Sequence, residues 1–225
     1  MYSVKIFTLY PEIFPGPLAV GIYGKAMSKG LWNLKTVNIR DYANDKHQTV
    51  DDTIFGGGHG MLMKPDVLAK SLDKNITEGD KIFYLSPKGK KFNQNFANSL
   101  SKKNGINLIC GHFEGIDNRL LSTRNIEEIS IGDYILSGGE TAAFVILDSV
   151  LRLIPGVLGN KDSVKEETFE NSLLEYPQFT KPKVWEGKSV PDVLLSGDHA
   201  KIKGWRLSQS EDITRRQRPD LWEKY

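Results

Sequence analysis

Apolar residues recur along the chain in short runs separated by longer segments of mixed polarity. The short runs are "VKIFTLY" (4–10), "WNLKTVNIR" (32–40), "KIFYLS" (81–86), "INLIC" (106–110) and "ISIGDYIL" (129–136). They are rich in β-branched and aromatic side chains, which predicts strands. Between them, the spacing predicts helices over 18–29, 66–75, 92–103, 116–123 and 141–153. Strands alternating with helices predict an α/β fold with a mostly parallel sheet over residues 1–160. Pro155 and Gly156 close the last helix. A polar stretch then predicts a flexible acidic linker over 161–176, and 177–225 reads as a small helical domain.

Charge sharpens these divisions. The net charge is only +2, but 161–180 carries two Lys against five Asp or Glu, while 181–225 carries ten Lys or Arg against seven acidic residues. Such a basic tail block suits a phosphate backbone, although a charge run is also an ordinary solvated face. Cys110 is the only cysteine, so no disulfide framework or cysteine metal cluster is expected. His47, His59, His112 and His199 are scattered, and no metal site is predicted. The N-terminus lacks a signal pattern and no apolar run is long enough to span a bilayer, so the expectation is a cytoplasmic protein without a membrane partner.

Three candidate loops each follow a strand: "LSPKGK" (85–90), "CGHFEGID" (110–117) and "YILSGGE" (134–140). Open α/β sheets bind ligands outside the carboxyl ends of their strands, where glycines let backbone approach closely. The same glycines could merely end strands and start helices. No G-x-x-x-x-G-K-[ST] loop is present, and no G-x-G-x-x-G follows the first strand. Lys88 and Lys90 are the only basic residues in the loops. A ligand held through backbone hydrogen bonds to a base and ribose therefore fits better than a polyphosphate, and S-adenosylmethionine has that character.

Six segments in order, "TVDDTIFGGGHGMLMKP" (49–65), "YLSPKG" (84–89), "CGHFEGIDNR" (110–119), "SIGDYILSGGE" (130–140), "LIPGVLG" (153–159) and "VLLSGDHAKIKGWR" (193–206), closely resemble the bacterial tRNA (guanine-N1)-methyltransferase family, TrmD. The resemblance implies a SPOUT-type parallel sheet with a deep C-terminal trefoil knot and a homodimer with shared active sites. It implies methylation of guanine N1 at the nucleotide immediately 3′ to the anticodon, which prevents frameshifting, on the anticodon arm of tRNA rather than on DNA. Around S-adenosylmethionine it places Tyr84, Leu85, Ser86, Pro87, Gly89, Cys110, Gly111, Phe113, Glu114, Ile131, Gly132, Tyr134, Leu136, Ser137, Gly138 and Gly139. It links the reaction to Mg²⁺ as well, for which the sequence shows no site.

By the same resemblance, Arg152 stabilises charge at O6 and a linker carboxylate takes the N1 proton. Here the sequence departs from the family: Glu167 stands where an Asp is expected, one methylene longer, with Glu166 and Glu170 beside it. Without the resemblance, Arg152 would complement a helix C-terminus and Glu167 would be a solvated linker charge. Asp51, with His47 and Gly60 nearby, is expected to meet the target guanine. Ser163, Lys181, Ser196, Gly197, His199 and Arg206 are expected to contact the RNA, with Lys183, Lys201, Lys203, Arg215, Arg216 and Arg218 as further phosphate contacts. His112 and Phe113 replace an Arg and a Tyr common in the family, and His59 replaces a Pro. Two alternatives are a SPOUT methyltransferase for another RNA nucleotide, and an RNA-binding module that has lost catalysis with the Asp.

Overall fold

The structure, a computed structural model of the chain, describes residues 1–77, 79–159 and 172–225. It divides into two compact units, Met1–Gly159 and Asn160–Tyr225.

In the first unit, strand β1 (Tyr2–Thr8) is followed by short 3-10 turns at Pro11–Ile13 and Gly16–Ala19, helix α1 (Gly21–Ser28) and strand β2 (Trp32–Asn38). After a further 3-10 turn come β3 (Asp51–Thr53), β4 (Met61–Met63), α2 (Pro65–Asn75), β5 (Ile82–Lys91), α3 (Gln94–Ser101), β6 (Gly105–Cys110), α4 (Asn118–Thr123), β7 (Ile126–Ser130) and α5 (Glu140–Leu151). Five strands form one sheet in the order β2-β1-β6-β5-β7, every pairing parallel.

Parallel strands covered on both faces need apolar side chains at successive positions, and these strands have them. Val4, Ile6, Phe83, Leu85, Ile106, Leu108 and Cys110 pack with α1, α3 and α5 side chains on one face. Phe7, Ile82, Tyr84 and Ile109 pack with α2 and α4 side chains on the other.

Register positions the site. Leu85 pairs with Cys110 on one side and Ile129 on the other, so the carboxyl ends of β6 and β7 lie level with Leu85 of β5. The chain after Leu85 does not leave the sheet as a terminal loop, as the sequence predicts. Residues 86–89 form a bulge, and Lys90 pairs with Ile129 again. Gly89 makes this possible: a Cβ there would lie 2.4 Å from the backbone of Glu128 and Ile129.

Two further expectations are corrected. The strand predicted over 129–136 ends at Ser130, because the Ser130 hydroxyl donates to Gly132 O and accepts from Gly132 N, both at 3.2 Å, and curls the chain out of the sheet. The polar, glycine-rich segment 41–60, whose composition suits a loop, contains β3, and its Asp51 pairs with Met63 of β4 in an antiparallel hairpin.

The second unit contains hairpin β8 (Val184–Trp185) and β9 (Lys188–Ser189), then α6 (Asp192–Leu195), α7 (His199–Gln217) and α8 (Pro219–Trp222). Asp198 caps α7, accepting from the amides of Ala200 and Lys201 at 3.1 Å. Among its described residues only Ser210 and Thr214 are buried. Thr214 Oγ1 accepts from Leu174 N at 2.8 Å and donates to Ser210 O at 2.6 Å. Arg206 lies over the Tyr176 ring and Arg215 over Trp222, 4.7 and 4.6 Å from the centroids.

Candidate cofactor and substrate site

The three chain segments leaving β5, β6 and β7 enclose a cavity of about 540 Å³ in the first unit. Its walls include Tyr84, Leu85, Ser86 and Pro87 from β5, Gly111, Phe113 and Glu114 after β6, and Ile131, Gly132, Tyr134, Leu136, Ser137, Gly138 and Gly139 after β7. The structure thus brings together in one cavity the residues assigned to the cofactor, apart from Gly89 and Cys110. Gly89 is spent on its close approach to β7. Cys110 lies wholly buried beneath the floor, where burial and the nearby Glu140 push its thiol well up, so it is an inert packing residue there.

The segments interlock through bare backbone. The Gly139 amide donates to Gly111 O at 3.0 Å. A Cβ on Gly139 would stand 2.6 Å from Cys110 Cα, and one on Gly138 would stand 2.3 Å from the His112 ring. Ser-Gly-Gly at this corner follows from that proximity, since no side chain fits between the segments. Tyr84 closes one side, its phenol pushed up by burial and by the Glu128 carboxylate.

Sequence reasoning missed what underlies the corner. Glu140, the first residue of α5, is buried and accepts a hydrogen bond from Thr8 Oγ1 at 2.6 Å. His112 Nε2 lies 2.8 Å from Glu140 Oε2 and 3.0 Å from Oε1. A carboxylate in the first turn of a helix was the available signal; its partners come from distant sequence.

The β3–β4 hairpin borders the cavity: Glu114 N donates to Met61 O and Met63 N to Gly115 O. Gly60 lies against Glu114, whose side chain would be 2.8 Å from a Cβ there. Asp51 is half-buried at the start of β3, and His47 is exposed, its amide donating to Asp45. Phe55, between the two strands, is 98% exposed.

Arg152 is placed differently. It caps the far end of α5, close enough to Tyr23 to oppose the rise in that phenol's pKa that burial and Asp148 produce. With twelve residues of helix between Glu140 and Arg152 at 1.5 Å each, the two lie about 18 Å apart. Glu167 and Ser163, with Glu166 and Glu170, lie outside the described residues.

In the second unit, Lys181, Ser196, Gly197 and His199 are exposed and Arg206 is half-buried. Ser196 Oγ donates to Val193 O, and Gly197 (φ +70°) turns the chain into α7. Lys201 pairs with Asp198 at 3.2 Å and Arg218 with Asp220 at 2.6 Å. Among the described residues no group of His, Cys, Asp and Glu could hold a metal ion, and no helix is long and apolar enough to cross a membrane.

The chain is similar throughout to known proteins. The family model described as tRNA (Guanine-1)-methyltransferase TrmD matches residues 2–224. A tRNA (guanine-N(1)-)-methyltransferase of Pelagibacter ubique is 72% identical over 225 residues, covering 100% of this chain and 99% of the relative. Its counterpart in Brucella canis is 53% identical over 224 residues, covering 100% of this chain and 91% of the relative.

Proposed function

The chain belongs to the tRNA (guanine-1)-methyltransferase TrmD family, and on that premise we propose that it methylates N1 of the guanine immediately 3′ to the anticodon, so limiting frameshifting. The observation that carries this reading is one cavity lined by the β5 bulge after Leu85 and by the segments that follow β6 and β7.

S-adenosylmethionine supplies an electrophilic methyl group on a sulfonium. The residues present fit it. The cavity is within the size range of small-molecule sites, about 300–1,000 Å³. Leu85, Pro87, Ile131, Leu136 and Ala142 give it apolar walls, and the glycine-rich segments expose backbone groups able to bond an adenine edge and a ribose. Among the described residues Lys88 is its only lysine or arginine, which disfavours a polyphosphate, while Glu114 and Glu128 offer carboxylates to an ammonium. We assign the adenine and ribose to the 131–139 segment and the amino acid end to Glu114.

Guanine N1 carries a proton at neutral pH. The Glu167 carboxylate accepts it, and the Arg152 guanidinium stabilises the negative charge that develops towards O6. Asp51 accepts from the guanine edge, with His47 and Gly60 beside it. The second unit holds the anticodon arm through Lys181, Ser196, Gly197, His199 and Arg206. No donor cluster suited to Mg²⁺ exists among the described residues, and no step is assigned to that ion.

The enzyme acts as a homodimer with shared sites, in the cytoplasm where its tRNA substrate resides. Two observations support the dimer. Arg152 lies about 18 Å along α5 from Glu140 at the cavity end, farther than one side chain reaches, which favours a site completed by a second copy. Val20, Ile22 and Val145 expose apolar surface on the neighbouring segments of the second 3-10 turn, α1 and α5. The three interlocked segments are, in this reading, the trefoil knot of the SPOUT fold.

The test is methyl incorporation from labelled S-adenosylmethionine into two tRNA transcripts, one with guanosine and one with adenosine 3′ to the anticodon. Label in the guanosine transcript alone is expected. Label in both would point to another nucleotide, and label in neither would leave an RNA-binding protein without catalysis.

A further inference from the structure

The group beneath the glycine corner takes no part in the chemistry proposed above, yet three distant parts of the chain meet there. Thr8 ends β1, His112 follows β6 and Glu140 opens α5. Thr8 is fully buried, and the His112 and Glu140 side chains are only 14% and 7% exposed. Hydrogen-bond directions are fixed at one end: the Tyr10 amide donates to Thr8 Oγ1 at 3.0 Å, so the Thr8 proton is free to point at Glu140 Oε1, 2.6 Å away. At the other end one proton lies between His112 Nε2 and the carboxyl group, 2.8 Å from Oε2. Tyr10 meets the imidazole edge-on with ring centroids 5.0 Å apart, which limits the ring's tilt.

This arrangement bears directly on the corner. A Cβ on Gly138 would lie 2.3 Å from His112 Cε1 and 2.7 Å from Glu140 Oε2. The bonded pair is therefore the surface on which Gly138 rests, one residue before Gly139, and the ring is also part of the cavity wall.

We propose that His112 is a positioning residue. Its bond to Glu140 fixes the path of the Gly138–Gly139 backbone and so sets affinity for the nucleoside part of the cofactor, without acting in the transfer step. A buried carboxylate that loses one donor also loses part of the compensation for its desolvation, so it seeks water or another donor and the corner moves with it. The inference rests on the cofactor assignment made above.

Calorimetry with S-adenosylmethionine, together with KM and kcat on a guanosine-bearing transcript, tests it on the full chain. His112→Leu removes the donor at similar volume, and its cofactor Kd and KM are expected to rise about tenfold, the scale of one charge-assisted hydrogen bond. Its kcat at saturating cofactor should stay within about threefold of wild type, because the lost interaction is equally present before and during transfer. His112→Gln keeps a donor nitrogen and should recover affinity to within about threefold of wild type. Thr8→Val, nearly isosteric, serves should His112→Leu fail to fold by circular dichroism, and is expected to weaken binding about fivefold.

Wild-type affinity in His112→Leu, or in Thr8→Val where that variant carries the test, would overturn the proposal. So would a His112→Gln variant as impaired as His112→Leu, since the ring would then act by shape alone. A wild-type protein that does not bind S-adenosylmethionine would remove the cofactor assignment itself, and the positioning role with it.

Discussion

Gly139→Ala isolates the close approach of the loops, because the substitution adds one methyl group and nothing else. Gly139 has φ −78° and ψ −13°, a conformation alanine adopts without strain, so any cost is steric. Its Cβ would stand 2.6 Å from Cys110 Cα and 3.1 Å from Gly111 N. Carbon atoms settle near 3.5–4.0 Å, so the two segments must part by about 1 Å. The obstructing atoms are backbone at the end of β6, held by the ladder to β5, and cannot rotate aside. Overpacking of this kind costs about 1–3 kcal/mol. Separation also breaks the Gly139 N–H bond to Gly111 O, worth about 1 kcal/mol. The sum of about 2–4 kcal/mol corresponds to a fall in Tm of roughly 4–16 °C for a chain of this size. A corner displaced by about 1 Å also moves its backbone groups out of hydrogen-bonding range, weakening cofactor binding by at least about tenfold. Differential scanning calorimetry and titration calorimetry read the two effects. A Gly139→Ala protein with a wild-type Tm and a Kd within twofold of wild type would refute the claim that this corner requires bare backbone.

Gly204→Ala is the contrasting case: Gly204 lies inside α7 with nothing near its missing Cβ, so stability of the second unit should rise by about 0.5–1 kcal/mol, read by urea titration of its far-ultraviolet signal. Asp117 caps α4, and the Arg119 guanidinium holds its carboxyl below the usual carboxylate range. Its contribution is therefore present above the unfolded value near 4 and disappears as pH falls through the lower folded value, so Asp117→Ala should cost about 1 kcal/mol at pH 7 and progressively less in acid, checked by urea midpoints at both pH values. Glu167→Gln should lower the single-turnover methylation rate by about 10²-fold or more with little change in tRNA affinity, and a near-normal rate would move the base to another residue.

How far the sequence could be read depended on the range of the interaction involved. The predicted helices over 66–75 and 141–153 appear as Pro65–Asn75 and Glu140–Leu151, because their periodicity and their Pro and Gly punctuation are local. The strand end at Cys110 was legible for the same reason, whereas the return of the chain to the sheet at Lys90 depends on a close approach to β7 that no local pattern shows. The end of β7 was not, because a single serine hydroxyl turning on Gly132 overrides the β-propensity of "IGDYIL". The β3–β4 hairpin was hidden by a polar, glycine-rich composition that has no apolar alternation. The Thr8–Glu140 bond spans 132 positions and the His112–Glu140 contact spans 28, so no window of sequence contains either pair.

That long separation has a consequence for the order in which the molecule is made. The cavity needs β5, β6 and β7 in register, and its floor needs the first strand joined to the helix that follows the seventh. Closing so large a loop is among the slow steps of folding, since its entropy must be lost before any of its contacts form. The complete cavity therefore exists only once these distant segments have met. A chain still on the ribosome and lacking α5 has no partial version of the site, and a bound cofactor stabilises only molecules whose topology is already complete.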